Sequence, residues 1–123
     1  MNARQNALWK PSISTEFDPK SEAVLLAGDA EITLATVPSG ASKLIITSPP
    51  YNLGKVYEKA TALDKYLGQL TPILKELVRV LAPDGSLCWQ VGNYVENSEI
   101  FPLDIFYYPV FKSLGPLAGP PLE

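Results

Sequence analysis

The sequence predicts an α/β domain built on parallel strands with crossover helices. Two observations support this prediction. Apolar runs of strand length recur at residues 23–28, 43–47 and 86–92, and segments with helical signals follow each of them. Helices that connect buried strands are typical of parallel sheets, because such a crossover takes about a dozen residues and covers a sheet face. At 123 residues, the chain has room for one domain with one sizeable core.

The composition favours a folded globular protein. Hydrophobic residues make up 46% of the chain and charged residues 19%, which differs from the composition of disordered segments. No apolar run approaches the roughly 20 residues of a membrane helix, and the N-terminal sequence lacks the apolar core of a secretory signal. The single cysteine, Cys88, excludes an internal disulfide and favours a reducing compartment. We therefore expect a cytoplasmic protein without a membrane partner.

The N-terminal half predicts one strand, one short helix and a second strand. Residues 1–20 are polar and predict an irregular arm, and residues 23–28, AVLLAG, predict a short buried strand that ends at glycine. Asp29 is a candidate N-cap of a short helix, which Pro38 and the residues after it terminate. Residues 43–47, KLIIT, are apolar and β-branched without alternation, which predicts a strand buried on both faces.

A leucine stripe marks the clearest helix of the sequence. Its members recur at steps of four and three and predict core positions on one helix face: Leu63, Leu67, Leu70, Leu74, Leu77 and Leu81. Thr61 and Asp64 resemble a capping box at the start of this helix, and Pro72 predicts a kink.

The remainder predicts a turn, a third strand and a last helix. Pro83-Asp84-Gly85 has turn chemistry, because proline presets one φ angle and glycine accepts an unusual one. Residues 86–92 predict a strand in which Cys88 is buried and inert, followed by a loop at 92–94. A helix is predicted over residues 102–114, with its aromatic cluster packed against the sheet. The domain is thus expected over residues 21–115, followed by a tail at 116–123.

The tetrapeptide Ser48-Pro49-Pro50-Tyr51 follows the second buried strand, at the sheet edge where open α/β folds bind ligands. Each residue before a proline is pushed into an extended conformation, and neither proline has an N–H to donate. The carbonyl oxygens of this stiff segment are therefore available to a guest, and Tyr51 offers an aromatic face. Such a site suits a planar ligand that carries an amino group. The alternative is a proline-rich loop with Tyr51 packed against the domain.

These residues resemble a known family. The sequence TSPPYN, residues 47–52, is similar to the catalytic motif (Asp/Asn/Ser)-Pro-Pro-(Tyr/Phe/Trp) of the DNA amino-methyltransferases. The Gly-Asp-Ala turn at 28–30 and the helix, turn and strand over 74–93 are also similar to members of the β arrangement, in which the catalytic motif precedes the cofactor motif. The likeness extends over residues 22–115 and implies part of a Rossmann-like methyltransferase sheet.

The resemblance implies methyl transfer from S-adenosylmethionine to the exocyclic amine of a base flipped out of DNA. Tyr51 would stack on the base, with Asn52 and Pro50 shaping the pocket. The amine would donate hydrogen bonds to the Ser48 side chain and the Pro49 carbonyl, which localise its lone pair for attack on the methyl group. This chemistry needs no metal ion and no histidine, and the sequence contains no histidine.

The resemblance also implies that Asp29 and Ala30 contact the adenine of the cofactor, with Ser48 between cofactor and base. Asp29 can cap a helix at the same time, and the two roles are compatible. Serine at position 48 leans towards cytosine N4, yet adenine N6 stays open, because both motif letters occur with both bases.

The sequence departs from the family's pattern. It has no Phe-x-Gly-x-Gly loop for the methionine part of the cofactor, and we expect it to lack both the strands that complete a seven-stranded sheet and a target-recognition region. Its net charge of −3, without a basic patch for DNA, agrees with the last of these. We therefore expect a truncated form, a natural fragment or one part of a split enzyme, inactive alone, that meets DNA through the full-length or complemented enzyme. One alternative is a non-catalytic half-domain that assembles as a homodimer or with a complementing chain. Another is a different nucleotide-using α/β enzyme, which the absence of a glycine-rich phosphate loop disfavours.

Overall fold

The structure of the protein is a computed structural model, and it describes residues 10–50 and 63–115. Their elements in chain order are β1 (Ile13–Ser14), β2 (Ala23–Val24), α1 (Ala30–Leu34), β3 (Ser42–Thr47), α2 (Leu63–Val80), β4 (Leu81–Trp89), β5 (Asn93–Glu96), β6 (Glu99–Pro102) and α3 (Leu103–Leu114). The strands pair as β1 with β2, β3 with β4, and β5 with β6. Within the two described ranges, no helix has both the length and the apolar character required to cross a membrane.

The pair β3–β4 with its crossover helix α2 confirms the α/β prediction. The two strands run parallel, with Leu44 opposite Ser86 and Thr47 opposite Trp89. The ladder continues one step beyond the strands, where the backbone N–H of Gln90 donates to the carbonyl of Thr47 at 2.9 Å. Both strands therefore end at the same edge of the sheet. Ser48 and the proline pair follow directly after β3.

The predicted turn at 83–85 lies inside the bounds of β4, as a break in register. Leu81 pairs with Ser42 whereas Ser86 pairs with Leu44, so β4 accommodates extra residues between two ladder segments. An ion pair between Lys43 and Asp84 spans this break, and its hydrogen bond lowers the pKa of the Asp84 carboxyl. The predicted turn is therefore a register break within a strand, and the prediction missed the strand residues before it.

Gly85→Ala is expected to destabilise the protein, because this break is tightly packed. A Cβ at Gly85 would lie 2.8 Å from Leu81 Cδ1 and 3.0 Å from the carbonyl oxygens of Ala82 and Lys43. Overpacking of this kind costs about 1–3 kcal/mol. Gly68→Ala is the matched control: among the described residues, no contact lies within 4 Å of its Cβ position on α2, so a gain of about 0.5–1 kcal/mol is expected. Urea unfolding compares the two variants, and equal effects would contradict this packing.

The core lies between α2, α3 and one face of the β3–β4 pair. It confirms Leu63, Leu67, Leu70, Leu74 and Leu77 of the leucine stripe as core positions. Leu81 was wrongly predicted on this helix face, because it begins β4, where it pairs with Ser42. The buried members of the core are Tyr66, Leu70, Leu74, Leu77, Tyr94, Leu103, Tyr107 and Phe111. The Trp89 ring meets Tyr107 and Phe111 edge-on, with centroids 5.4 Å and 5.7 Å apart. Tyr107 and Phe111 of the aromatic cluster therefore pack against the end of β4, as predicted, whereas Tyr108 is exposed.

Arg79 joins α2 to the end of α1. Its Nη2 donates to the carbonyl of Leu34 at 2.8 Å and its Nη1 to Ser39 Oγ at 3.1 Å. Arg79 Nη2 also lies 2.7 Å from Oε2 of Glu76, one turn earlier on α2. The hydrogen bond from Arg79 lowers the pKa of the Glu76 carboxyl. The short helix α1, which begins beside Asp29, is thus fixed to the longest helix of the described chain.

The prediction that β3 is buried on both faces is wrong. Leu44 is 56% exposed and Ile46 is 72% exposed, and their β4 partners Ser86 and Cys88 are exposed as well. Because side chains alternate along a strand, the intervening residues Ile45 and Leu87 face the core. Cys88 is therefore exposed and not buried as predicted. We call the surface formed by Leu44, Ile46, Ser86 and Cys88 the bare sheet face.

The first strand lies in the segment that the sequence predicts to be irregular. β1 pairs in parallel with β2, and Leu25 N–H donates to the carbonyl of Ser14 at 2.8 Å. Ser12 and Glu22 bracket this pair reciprocally: each backbone N–H donates to the other residue's side chain, at 2.7 Å and 2.9 Å. Such polar contacts give no apolar signal in the sequence. The predicted strand at 23–28 is correspondingly shorter, and in the described residues it is not hydrogen-bonded to β3.

The antiparallel hairpin β5–β6 is the second feature that the sequence prediction misses. Its two-residue turn has positive φ at both positions, 50° at Asn97 and 65° at Ser98, as a type I′ turn requires. The signal was present in the flanking pairs Tyr94-Val95 and Ile100-Phe101, but serine is an uncommon residue at the second position of such a turn.

Candidate active site

The candidate site begins where β3 and β4 end side by side. Ser48, Pro49 and Pro50 follow Thr47 directly, and Thr47 pairs with Trp89 at the end of β4. Pro49 is buried, whereas Ser48 and Pro50 are exposed. The structure thus places the first part of the predicted motif at the carboxyl edge of a parallel pair. Tyr51 and Asn52 lie outside the described residues, so their predicted roles stay predictions.

The carbonyl of Pro50 has a buried partner. The Tyr66 hydroxyl on α2 donates a hydrogen bond to this oxygen, and the Tyr107 hydroxyl on α3 donates to the Tyr66 oxygen at 2.8 Å. The sequence prediction missed both contacts. One indication of them was present in the sequence, the tyrosine at position 66 on the buried face of the leucine stripe. A buried phenol usually finds a hydrogen-bond partner.

The predicted cofactor residues lie at the start of α1. Asp29 is its N-cap, and its Oδ1 accepts hydrogen bonds from the backbone N–H groups of Glu31 at 3.0 Å and Ile32 at 3.5 Å. The capping role is therefore confirmed. Gly28 precedes it with φ 145°, a conformation that favours glycine. The cofactor contacts of Asp29 and Ala30 stay predictions.

Ala30 lines an apolar groove of about 490 Å³ between the β1–β2 pair and α1. Its other walls include Val24, Leu26 and Thr33, and it reaches Ser42 at the amino end of β3. Ser48 follows the carboxyl end of the same strand. Ser48 therefore lies in the chain between Thr47, which pairs with Trp89, and the Pro49-Pro50 pair, whose last carbonyl accepts from Tyr66. Ala30 lies among the groove walls.

The loop predicted at residues 92–94 is shorter than expected. Asn93 and Tyr94 already belong to β5, and Tyr94 is buried in the core beside Phe101, with ring centroids 5.9 Å apart. Gln90, Val91 and Gly92 are the residues that connect the end of β4 to the hairpin. The hairpin consequently starts at the same sheet edge as the proline pair.

A DNA methylase family of the N6/N4 methyltransferase type matches residues 42–115 of the chain. The type II methyltransferase M.BglII of Bacillus subtilis is 44% identical over 89 residues, which cover 72% of this chain and 25% of that protein. The DNA adenine methyltransferase YhdJ of Escherichia coli K12 is 31% identical over 86 residues, covering 68% of this chain and 28% of YhdJ.

Solved structures show the same likeness. TTHA0409 of Thermus thermophilus, assigned as a DNA modification methylase, superposes with a TM-score of 0.62 at 31% identity, covering 72% of this chain and 39% of that one. A structure of the same protein complexed with S-adenosyl-L-methionine superposes with a TM-score of 0.60. The chain spans about a quarter of the length of the two curated relatives named above, 25% of M.BglII and 28% of YhdJ.

Proposed function

Since the chain belongs to the family of N6/N4-type DNA methylases, we propose that it carries the catalytic motif of a site-specific DNA methyltransferase. The reaction is methyl transfer from S-adenosylmethionine to the exocyclic amine of adenine (N6) or cytosine (N4). One observation carries this proposal: Ser48-Pro49-Pro50 directly follow β3 at the edge where β4 also ends. Ligands of open α/β sheets bind at that edge.

The residues at this edge suit an amine that must become a better nucleophile. The lone pair of an exocyclic amine is delocalised into the base, so the nitrogen is planar and weakly nucleophilic. In the proposed site, the Ser48 side-chain oxygen and the Pro49 carbonyl accept hydrogen bonds from the two amine N–H groups and favour a tetrahedral nitrogen. Transfer would form the bond from nitrogen to the methyl carbon as the carbon–sulfur bond breaks, with S-adenosylhomocysteine as the leaving group and one amine proton released to solvent. Tyr51 stacks on the base, which has to leave the duplex to reach the motif. Asn52 and Pro50 shape the pocket.

The residues at the start of α1 fit a nucleoside. Asp29 offers an exposed carboxylate next to the groove that Ala30 lines, and the walls of that groove are mainly apolar. A carboxylate beside an apolar wall suits a planar ring that carries hydroxyl or amino donors. When bound, S-adenosylmethionine supplies the electrophilic methyl group on its sulfonium. We propose that Asp29 and Ala30 hold its adenosine part and that Ser48 lies between it and the base.

The chain is proposed to act together with further segments or with a complementing chain. The bare sheet face exposes Leu44 and Ile46, and in the described residues β3 pairs with β4 alone. The net charge of −3 makes DNA binding by these residues alone unfavourable, so DNA is proposed to bind through the complemented enzyme. The cytoplasm is the proposed compartment, on the basis of the single cysteine.

The bare sheet face also favours a second candidate, a non-catalytic assembly partner or homodimer. An unpaired strand edge and an exposed apolar face both recruit other chains. Sedimentation over a range of concentrations tests this candidate. Self-association with no stabilisation by S-adenosylmethionine would favour it over the methyltransferase.

Saturating S-adenosylmethionine is expected to raise the unfolding temperature of the 123-residue chain. At about 100 times its dissociation constant, a ligand stabilises a fold by about 2.7 kcal/mol, which corresponds to several degrees. Asp29→Asn provides a sharp comparison, because asparagine caps a helix about as well as aspartate but replaces one carboxylate oxygen with an amide. We expect an unchanged unfolding temperature without ligand and a smaller rise with it.

Two results would contradict parts of this proposal. An equal rise in wild type and Asp29→Asn would exclude Asp29 as a cofactor contact. No rise in either would show that the chain does not form the pocket without its complementing segments.

A further inference from the structure

Two buried tyrosines connect both long helices to the backbone of the proposed catalytic motif. Tyr66 is 4% exposed and Tyr107 is 1% exposed. The Tyr66 hydroxyl donates to the Pro50 carbonyl, and the Tyr107 hydroxyl lies 2.8 Å from the Tyr66 oxygen. We call Tyr107, Tyr66 and the Pro50 carbonyl the tyrosine relay.

The direction of the relay follows from its chemistry. A carbonyl oxygen only accepts, and a phenol has one proton to donate. The Tyr66 proton is therefore given to Pro50, and the hydrogen bond between the phenols takes its proton from Tyr107. Burial, and then the hydrogen bond with Tyr66, raise the pKa of Tyr107 well above the usual tyrosine value. Tyr107 thus stays a neutral donor, and it polarises the Tyr66 hydroxyl in a surrounding of low dielectric.

The inner end of the relay is rigid. The Tyr107 ring packs edge-on against Trp89 with centroids 5.4 Å apart, and against Tyr66 at 6.3 Å. Trp89 in turn pairs with Thr47, the residue before Ser48. The phenol of Tyr107 is consequently fixed relative to the last residue of β3.

The motif is held from both ends. At its start, the Thr47 carbonyl accepts from Gln90 N–H at 2.9 Å. The proline rings fix φ at positions 49 and 50 but leave the ψ angle of Pro50 to its surroundings. The hydrogen bond from Tyr66 fixes the direction of the Pro50 carbonyl. The acceptor pair of Ser48 and Pro49 lies between these two attachment points.

We propose that Tyr66, supported by Tyr107, is a positioning residue that orients the Ser48–Pro49 acceptors for methyl transfer. This inference rests on the proposed function, since it gives the tyrosine relay a role in that reaction. Misplacement of reacting groups by about 1 Å can cost 10²-fold in rate, so a fixed carbonyl at this point matters to catalysis.

The hydrogen bond can be measured without any activity. Pro50-Tyr51 is the only Pro-Tyr pair in the sequence. Labelling proline carbonyls with ¹³C and tyrosine amides with ¹⁵N therefore selects one carbonyl–amide correlation, that of Pro50, in the full chain. We expect Tyr66→Phe to move this carbonyl resonance upfield, Tyr107→Phe to move it less in the same direction, and the exposed-site control Tyr108→Phe to leave it in place.

The catalytic role is measured in M.BglII carrying residues 42–115 of this chain in place of its own matching segment. Tyr66→Phe is expected to lower kcat about tenfold with the KM for S-adenosylmethionine unchanged, because cofactor binding does not involve the relay. Tyr107→Phe should show a smaller loss, and Tyr108→Phe none.

An unmoved carbonyl resonance in Tyr66→Phe would overturn the inference. So would a moved resonance with an unchanged kcat, since the bond would then be structural only. An inactive chimera before any substitution would instead refute the proposed function, while the carbonyl resonance would still decide whether the relay exists.

Discussion

Ser48→Ala is expected to lower the rate of methyl transfer by about 10²-fold or more in the chimera of M.BglII that carries residues 42–115. Removal of one preorganised hydrogen-bonding group at a reacting centre costs about 10²–10³ in kcat. In the proposed mechanism, the Ser48 side-chain oxygen accepts a hydrogen bond from one of the two amine N–H groups, and the Pro49 carbonyl alone cannot hold the nitrogen tetrahedral. The loss is expected in kcat, with cofactor binding nearly unchanged.

The control for this substitution is Ser113→Ala. Ser113 is an exposed serine on α3, and its hydroxyl donates to the carbonyl of Val110 at 2.7 Å within its own helix. Single-turnover transfer of a labelled methyl group to DNA measures the chemical step for both variants. Tyr51→Ala is expected to lose comparable activity through loss of base stacking. Full activity in both Ser48→Ala and Tyr51→Ala would show that the catalytic site is assigned to the wrong residues.

The central part of the fold was predictable because its signals are local and long. A leucine stripe of five turns specifies α2, and the apolar runs on either side specify β3 and the end of β4. The position of Ser48 at a strand end followed from the same pattern. Boundaries were less predictable: β4 starts at Leu81, before the turn residues, because pairing with Ser42 extends the strand across the register break.

The exposure of one face of β3 could not be predicted from the apolar run at residues 43–47. A continuous β-branched strand predicts cover on both faces, yet the described residues cover only the face that carries Ile45. The apolar side chains Leu44 and Ile46 have no such cover. Their chemistry suits a sheet with helices on both sides, and the described residues provide cover on one side.

The tyrosine relay could not be predicted because its members meet only through tertiary structure. Tyr66 and Tyr107 lie on different helices, and their target is a backbone oxygen of a third segment. The sequence showed only that a phenol sits among leucines on a buried face. It could indicate that Tyr66 needs a partner, but not which one.

Leu74→Ala is expected to be the most destabilising of the truncations in the core, by about 3–5 kcal/mol. Leu74 is 0% exposed and lies on α2 among the buried residues of the core. Removal of its isobutyl group loses transfer energy and leaves a cavity that two helices and a sheet cannot close. Urea unfolding followed by tryptophan fluorescence measures the change, with Trp89 as a reporter in the same cluster.

Leu25→Ala makes the same chemical change at a side chain that is 63% exposed, and it is expected to alter the free energy of unfolding by no more than about 0.5 kcal/mol. Similar losses at both positions would contradict a fixed core between α2 and α3.

The core also bears on the proposed site, because Leu74 lies two turns after Tyr66 on the same helix. Loosening α2 at Leu74 should therefore also displace the Pro50 carbonyl resonance, in the direction expected for Tyr66→Phe, whereas Leu25→Ala should not.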